Sequence, residues 1–162
     1  MYDADEICIS DYSRVDDFCV LSGRINIGKY VHITPMCLIA GGKPGITLSD
    51  FTTLAYGVKI FSQSDDYSGK TMVNSLVDKK YKAETLSPVV VGKHVVIGTN
   101  SVIFPGVTIG EGCALGAMTL LNKDTAPWGI YIGSPAVRLK DRDQSLLRLE
   151  SQLLKEVNSD SI

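Results

Sequence analysis

Histidine occurs only twice in the 162-residue chain, at His32 and His94. That scarcity argues against a zinc site built from three imidazoles, and no metal is expected. Basic residues are not in excess. The formal net charge is −2, so no basic surface offers itself to nucleic acid. No apolar run reaches the roughly 20 residues of a membrane span. The acidic start, Met1 to Glu6, has neither the basic region nor the apolar run of a secretory signal. The four cysteines lack paired metal-ligand spacing. Aromatic residues make up 7% of the chain and charged residues 21%. What remains after these exclusions is a soluble, cytoplasmic protein, long enough for one domain with a real core.

What the chain does have is a six-residue step. Val91-Gly-Lys-His-Val-Val is followed by Ile97-Gly-Thr-Asn-Ser-Val, Ile103-Phe-Pro-Gly-Val-Thr, Ile109-Gly-Glu-Gly-Cys-Ala and Leu115-Gly-Ala-Met-Thr-Leu. A fixed short period of this kind marks a hexapeptide β-helix, each block being a short strand plus a turn. Side chains alternate across a strand, so both ends of a three-residue strand point the same way. The step extends back to Ile7 and gives fifteen triplets, none with a charge at either end. Three blocks per triangular turn make about five coils. Gly92, Gly98, Gly110 and Gly116 follow triplets, where a turn predicts positive φ. Cys19, Cys37 and Cys113 fall on inward ends, which predicts buried thiols in a reducing compartment.

Two insertions interrupt the step, at residues 40–45 and 61–88. Both leave the same corner of adjacent coils, and slack in a repeat fold tends to gather on the binding face. A loop of more than 20 residues is long enough to carry function. Of the three outward faces, the third carries Val20, Leu38, Lys59, Val102 and Leu120, an apolar stripe that suggests a subunit interface. After Thr125 the repeat is expected to stop. A helix is expected from Asp141, with Gln144 placed as in a capping box. Residues 1–137 therefore form the repeat domain, and 138–162 a C-terminal helix and tail.

At this point the chain resembles the hexapeptide-repeat acyltransferases with a left-handed parallel β-helix. Within them it resembles bacterial sugar acetyltransferases of surface-polysaccharide pathways, including those acting on nucleotide-linked 4-amino-4,6-dideoxyglucose. The repeat, Pro105-Gly-Val-Thr-Ile-Gly, Asn122-Lys-Asp, Gly133-Ser-Pro-Ala and Ser62-Gln-Ser-Asp-Asp-Tyr-Ser-Gly69 carry the resemblance. It implies an all-β fold, a homotrimer, acetyl-CoA as co-substrate, and a sugar or nucleotide-sugar acceptor bound between neighbouring prisms. For the coenzyme it points to Thr99, Ala117, Asn122, Lys123, and the loop of Gly133, Ser134, Pro135 and Ala136. Arg138 or Lys140 would meet the coenzyme phosphates.

Acyl transfer from a thioester needs a positioned acceptor, a route for its proton and a donor for the oxyanion. Where related galactoside acetyltransferases keep a histidine, this chain has Ser64-Asp65-Asp66. Asp65 or Asp66 would then be a base with a raised pKa, or the anchor of an amine acceptor; as plain turn residues they would leave His94 as the next candidate. O- and N-acetylation both remain open, as do a serine or drug-like acceptor and a non-catalytic β-helix scaffold. A carbonic anhydrase on this type of fold would need a third histidine.

Overall fold

The computed structural model describes residues 3–159, without the Asn158 side chain. Strands, most of them two or three residues long, stack in parallel into a three-faced prism, with Val20–Ile27 and Leu38–Leu48 running on from one face to the next. On the first face, Ile7–Ile9 pairs with residues 25–27, these with 46–48, these with Val89–Val91, and these with Thr108–Ile109. On the second face, Arg14–Val15, His32–Ile33, Thr53–Leu54, Val96–Ile97 and Ala114–Leu115 stack in turn. On the third, residues 20–21, 38–39, 59–60, Val102–Ile103 and Leu120–Leu121 do the same. Neighbouring rungs on a face are one full coil apart, so each inward Ile, Leu or Val lies over its counterpart. Ile33, Ile39, Leu48, Leu54, Ile60, Ile97 and Ile103 have no accessible surface. Each such burial stabilises by about 1.5–3 kcal/mol before entropy is counted.

The expected five coils are present and the stack goes further. Thr125 bridges Ile109, Gly129–Ile132 pairs with residues 114–115, and the Leu120 amide donates to the Gly133 carbonyl at 2.9 Å. The repeat does not stop at Thr125, because these residues still present a bonding edge even without the hexapeptide pattern. Val137–Asp141 then folds back antiparallel on Gly129–Ile132, making the second face seven strands wide. Asp141 therefore ends a strand and does not start the helix. The helix, α1, spans Leu146–Ser159, and it is Asp143 that accepts from the Ser145 amide at 2.7 Å. The 137/138 boundary falls inside that last strand, and the end of the expected tail, 160–162, lies outside the described residues.

Inward polar side chains are few and satisfied. Ser101 and Thr119 both donate to the Gly116 carbonyl, at 3.0 and 2.7 Å. No buried side-chain polar atom lacks a partner among the described residues. Cys37 and Cys113 are buried as expected, and burial pushes the Cys37 thiol up to about 11. Cys19 is only half-buried, because the first coil has a neighbour on one side; Ile9 there is 46% exposed.

The glycines behave differently from expectation. Gly92, Gly98, Gly110 and Gly116 do not have positive φ. A Cβ on Gly98 would stand 2.5 Å from the Ala117 nitrogen, and one on Gly92 2.7 Å from the Glu111 nitrogen. They are glycine so that successive coils can approach. Positive φ falls two residues later, just before each strand, and His94, Asn100, Gly106, Gly112 and Met118 keep the six-residue beat.

Candidate active site

The long insertion begins as a hairpin. Gln63–Ser64 pairs antiparallel with Thr85–Leu86, Ser64 opposite Thr85. The ladder ends at that pair, and Asp65 and Glu84 follow at its open end. Both line a cleft of ≈360 Å³ with Phe61, Ser64, Tyr67, Ser75, Phe104 and Pro105. Glu84 is held at 3.0 Å by Lys82, whose side chain is nearly buried. The insertions stack as expected. The Ser62 amide donates to the Ala40 carbonyl at 3.0 Å, and the buried Ser62 hydroxyl to the Gly41 carbonyl.

Asp66 has another task. Its carboxylate accepts from the Ser68 amide at 2.8 Å, the Thr71 amide at 3.2 Å and the Thr71 hydroxyl at 2.8 Å. Ser68, then Thr71, hold its carboxyl down at about 2. The raised pKa expected of a base is not found there; hydrogen bonds to the charged form outweigh desolvation. Asp66 ties residues 66–71 into a compact turn behind Asp65.

The residues assigned to the coenzyme divide between two edges. Thr99 and Ala117 stack on one edge, between the second and third faces, with the Met118 amide donating to the Thr99 carbonyl at 2.8 Å. Gly133, Ser134 and Pro135 continue that edge, exposed, and Ala136 closes onto Leu120 through its amide at 2.8 Å. Small side chains leave the backbone of this edge open to an extended ligand, so the residues present fit a pantetheine arm. Asn122 and Lys123, both exposed, sit on the insertion edge instead, one coil past Phe104 and Pro105. Arg138 donates to Asp141 at 2.5 Å, which raises its pKa further, and Lys140 is exposed two residues on. The apolar third face lies between these two edges.

His94 is on the remaining edge, away from both. Its ring stacks on Phe51 at 5.0 Å, in a column with Tyr30 and Tyr12. Its Nε2 meets Glu150 of α1 at 2.8 Å, and Arg142 donates to its carbonyl at 2.7 Å. Desolvation opposes ionisation of Glu150, yet Lys93 and His94 together hold its pKa below the ordinary value. His94 thus fastens the C-terminal helix to the prism and is not brought to the carboxylates. His32 pairs with Asp16 at 2.9 Å on the second face. Three or more metal-ligating side chains do not cluster anywhere among the described residues.

Residues 88–119 match the family model described as the hexapeptide repeat of succinyl-transferase. The chain is 38% identical over 153 residues to a dTDP-4-amino-4,6-dideoxy-D-glucose acyltransferase of Escherichia coli, covering 93% of this chain and 79% of the relative. The chain is a hexapeptide-repeat acyltransferase. Its fold superposes with a TM-score of 0.95 on AntD, an N-acyltransferase from Bacillus cereus in complex with dTDP and 3-hydroxybutyryl-CoA. That match has 38% identity and covers 97% of this chain and 84% of that one. A point mutant of AntD in complex with dTDP-4-amino-4,6-dideoxyglucose and coenzyme A gives 0.94 at the same identity, over 96% and 83% of the two chains.

In this hexapeptide-repeat acyltransferase, the cleft offers two carboxylates, two serine hydroxyls and aromatic walls, and no imidazole. Glu84 escapes sequence reading because 18 residues of irregular insertion separate it from Asp65. The only signal was Thr85-Leu86, a short β-prone pair before Pro88 that pairs with Gln63–Ser64.

Proposed function

We propose that the protein transfers the acetyl group of acetyl-CoA to the amino group of a dTDP-linked 4-amino-4,6-dideoxyhexose. The product would enter surface-polysaccharide synthesis, such as O-antigen of lipopolysaccharide, from the cytoplasm. One observation carries the choice of an amine over a hydroxyl. The cleft is lined by both Asp65 and Glu84 and by no imidazole. A sugar hydroxyl needs a base to become nucleophilic, whereas an amine needs chiefly orientation and a sink for its proton. Two carboxylates supply both. They anchor the ammonium form, and one takes a proton from it to free the nitrogen lone pair; the neutral amine then attacks the thioester carbonyl, the C–S bond breaks, and CoA leaves as the thiol with the second proton of the nitrogen. Ser64 and Ser75 offer hydroxyl donors for the sugar or the developing oxyanion. Bound acetyl-CoA supplies the thioester carbonyl.

The split between edges favours a homotrimer. Thr99, Ala117 and the 133–136 loop lie across the apolar third face from Asp65 and Glu84. The coenzyme edge of one copy meets the insertion edge of the next when three copies close a ring, which covers Leu38, Val102 and Leu120. Lys59 suits that contact, since its Nζ turns to the Gly57 carbonyl at 2.8 Å and leaves its stem along the face.

The test is thiol release from acetyl-CoA and from 3-hydroxybutyryl-CoA against dTDP-4-amino-4,6-dideoxyglucose, a simple galactoside, serine and chloramphenicol. Turnover dominated by the amino sugar supports the proposal. Turnover dominated by the galactoside or serine rejects the amine, and a chain that binds no coenzyme is a scaffold.

A further inference from the structure

The edge that carries Thr99 and Ala117 is a single column with one residue from each coil. The Met118 amide donates to the Thr99 carbonyl at 2.8 Å, the Asn100 amide to Tyr56 at 2.9 Å, the Gly57 amide to Pro35 at 3.1 Å and the Met36 amide to Asp17 at 3.3 Å. Ala117, Thr99, Tyr56, Pro35 and Asp17 therefore follow one another down the prism, about 4.8 Å apart. Side-chain size changes abruptly along this column. Ala117 and Thr99 are small. Tyr56, in the third coil, is the first large side chain, and 59% of it is exposed. Among the described residues, no hydrogen bond or ring contact within the chain employs its side chain. The apex position beside it is Gly57, with φ of +68°, where neighbouring coils carry Met36, Asn100 and Met118 at +66°, +56° and +60°. A Cβ on Gly57 would stand 2.4 Å from Asn100 Oδ1, so the Asn100 amide lies over the glycine. Below Tyr56 the edge is apolar: Met36 and Phe18 are 66% and 81% exposed.

We propose that Tyr56 closes the acyl end of the coenzyme groove and restricts the transferred group to acetyl. The inference rests on the reading of the Thr99–Ala117 edge as the coenzyme edge. With the phosphates at Arg138 and Lys140, the pantetheine arm runs down past Ala117 and Thr99, and its sulfur points toward the third coil. The acyl group lies beyond the sulfur, and Tyr56 is the next residue of the column. The insertion cleft stands at the same height, because Phe61 ends the third-face strand of the third coil and Phe104 follows that of the fourth. In a ring whose prisms run parallel to the threefold axis, equal coils of neighbouring copies are level. A thioester carbonyl between Thr99 and Tyr56 is then level with the carboxylates of the neighbouring copy. An acetyl methyl reaches the Tyr56 ring and stops there, with apolar contact to it. Two further methylenes run into the ring, and the apolar positions that would hold them, Pro35 and Met36, lie behind it. Tyr56 thus selects by volume.

Calorimetric titration of the full chain with CoA, acetyl-CoA and butyryl-CoA tests this without any acceptor. The parent should bind butyryl-CoA at least about tenfold more weakly than acetyl-CoA, since a pocket of fixed size discriminates about 10–200-fold for one methylene. Tyr56→Ala should shift that ratio toward butyryl-CoA by about tenfold or more. Kd for CoA itself, which ends at the sulfur, should not move. Tyr56→Phe should keep the parent's preference, because the ring and not the hydroxyl sets it. The side chain is exposed, so both variants should melt and sediment like the parent. A parent that binds butyryl-CoA as tightly as acetyl-CoA overturns the proposal. So does a Tyr56→Ala chain that dissociates into monomers, which would assign the ring to the contact between copies. An unchanged ratio in Tyr56→Ala, with Ala117→Asp unable to bind CoA, overturns the role of Tyr56 and leaves the coenzyme edge standing. An Ala117→Asp chain that binds CoA as tightly as the parent overturns both.

Discussion

A methyl group on Gly98 would stand 2.5 Å from the Ala117 nitrogen, 2.6 Å from the Gly116 carbon and 2.7 Å from the Leu115 carbonyl. All three are backbone atoms of the next coil and cannot rotate away. Gly98→Ala therefore forces two coils apart where the Gly98 amide donates to Leu115 at 2.8 Å and the Gly116 amide to Tyr131 at 2.9 Å. Overpacking against rigid neighbours costs about 1–3 kcal/mol, and this case belongs at the upper end. At ~2–4 °C per kcal/mol for a chain of this size, Tm should fall by ~6–12 °C. Gly69→Ala is the control. Its φ is +78°, but nothing lies within 4 Å, so only the backbone penalty of about 1–2 kcal/mol applies. Thermal melts of both variants decide the matter. Coenzyme binding adds a second reading: on the proposed coenzyme edge, displacement of Ala117 should raise KM for acetyl-CoA. A Gly98→Ala protein melting within ~2 °C of the parent would refute coil contact as the reason for these glycines.

Asp65→Asn should lower kcat/KM for the amino sugar about a hundredfold, and Glu84→Gln nearly as much. His94→Asn should leave kcat/KM near the parent's and lower Tm, and the reverse pattern would return His94 to the chemistry. The Asp66 carboxyl, at about 2 in the fold against about 3.9 unfolded, stabilises the 66–71 turn fully above pH ~4 and loses that effect as pH falls through about 2. The Ser68 and Thr71 amide resonances should titrate with a midpoint near 2; a midpoint near 4 would show that the carboxylate is unpaired in solution. Leu38→Glu or Val102→Glu should shift the sedimenting species from trimer to monomer and abolish activity with it. A parent chain that sediments as a monomer at micromolar concentration contradicts the ring.

The prism was legible because burial imposes its period directly. An inward position in a coil one strand wide tolerates no charge, so Ile97 and Leu115 announce themselves. The phase of the two insertions was legible for the same reason, and the Ser62–Ala40 bond follows from it. Gly98 was misread because turn glycines and contact glycines look alike in sequence, and only the neighbouring coil distinguishes them. Strand Val137–Asp141 was hidden because it is exposed throughout and its pairing is decided by the free edge of Gly129–Ile132. In the site, Asp65 stood out by its place in the insertion. Glu84 did not, because hairpin register inside an irregular loop is set by packing that local sequence does not encode. His94 attracted attention by its rarity and proved to be the fourth ring of an aromatic column.

The composite site between copies is tested most directly by mixing two inactive variants. Ala117→Asp would block the proposed coenzyme edge, where Ala117 is exposed, and Asp65→Asn removes the carboxylate of the insertion edge. Unfolded together at equal amounts and refolded, they assemble at random. In a closed ring every mixed trimer contains one intact pairing of edges, so about a quarter of the parent's activity should return. Mixtures that stay as inactive as the separate variants, while sedimenting as trimers, would show that each copy completes its own site.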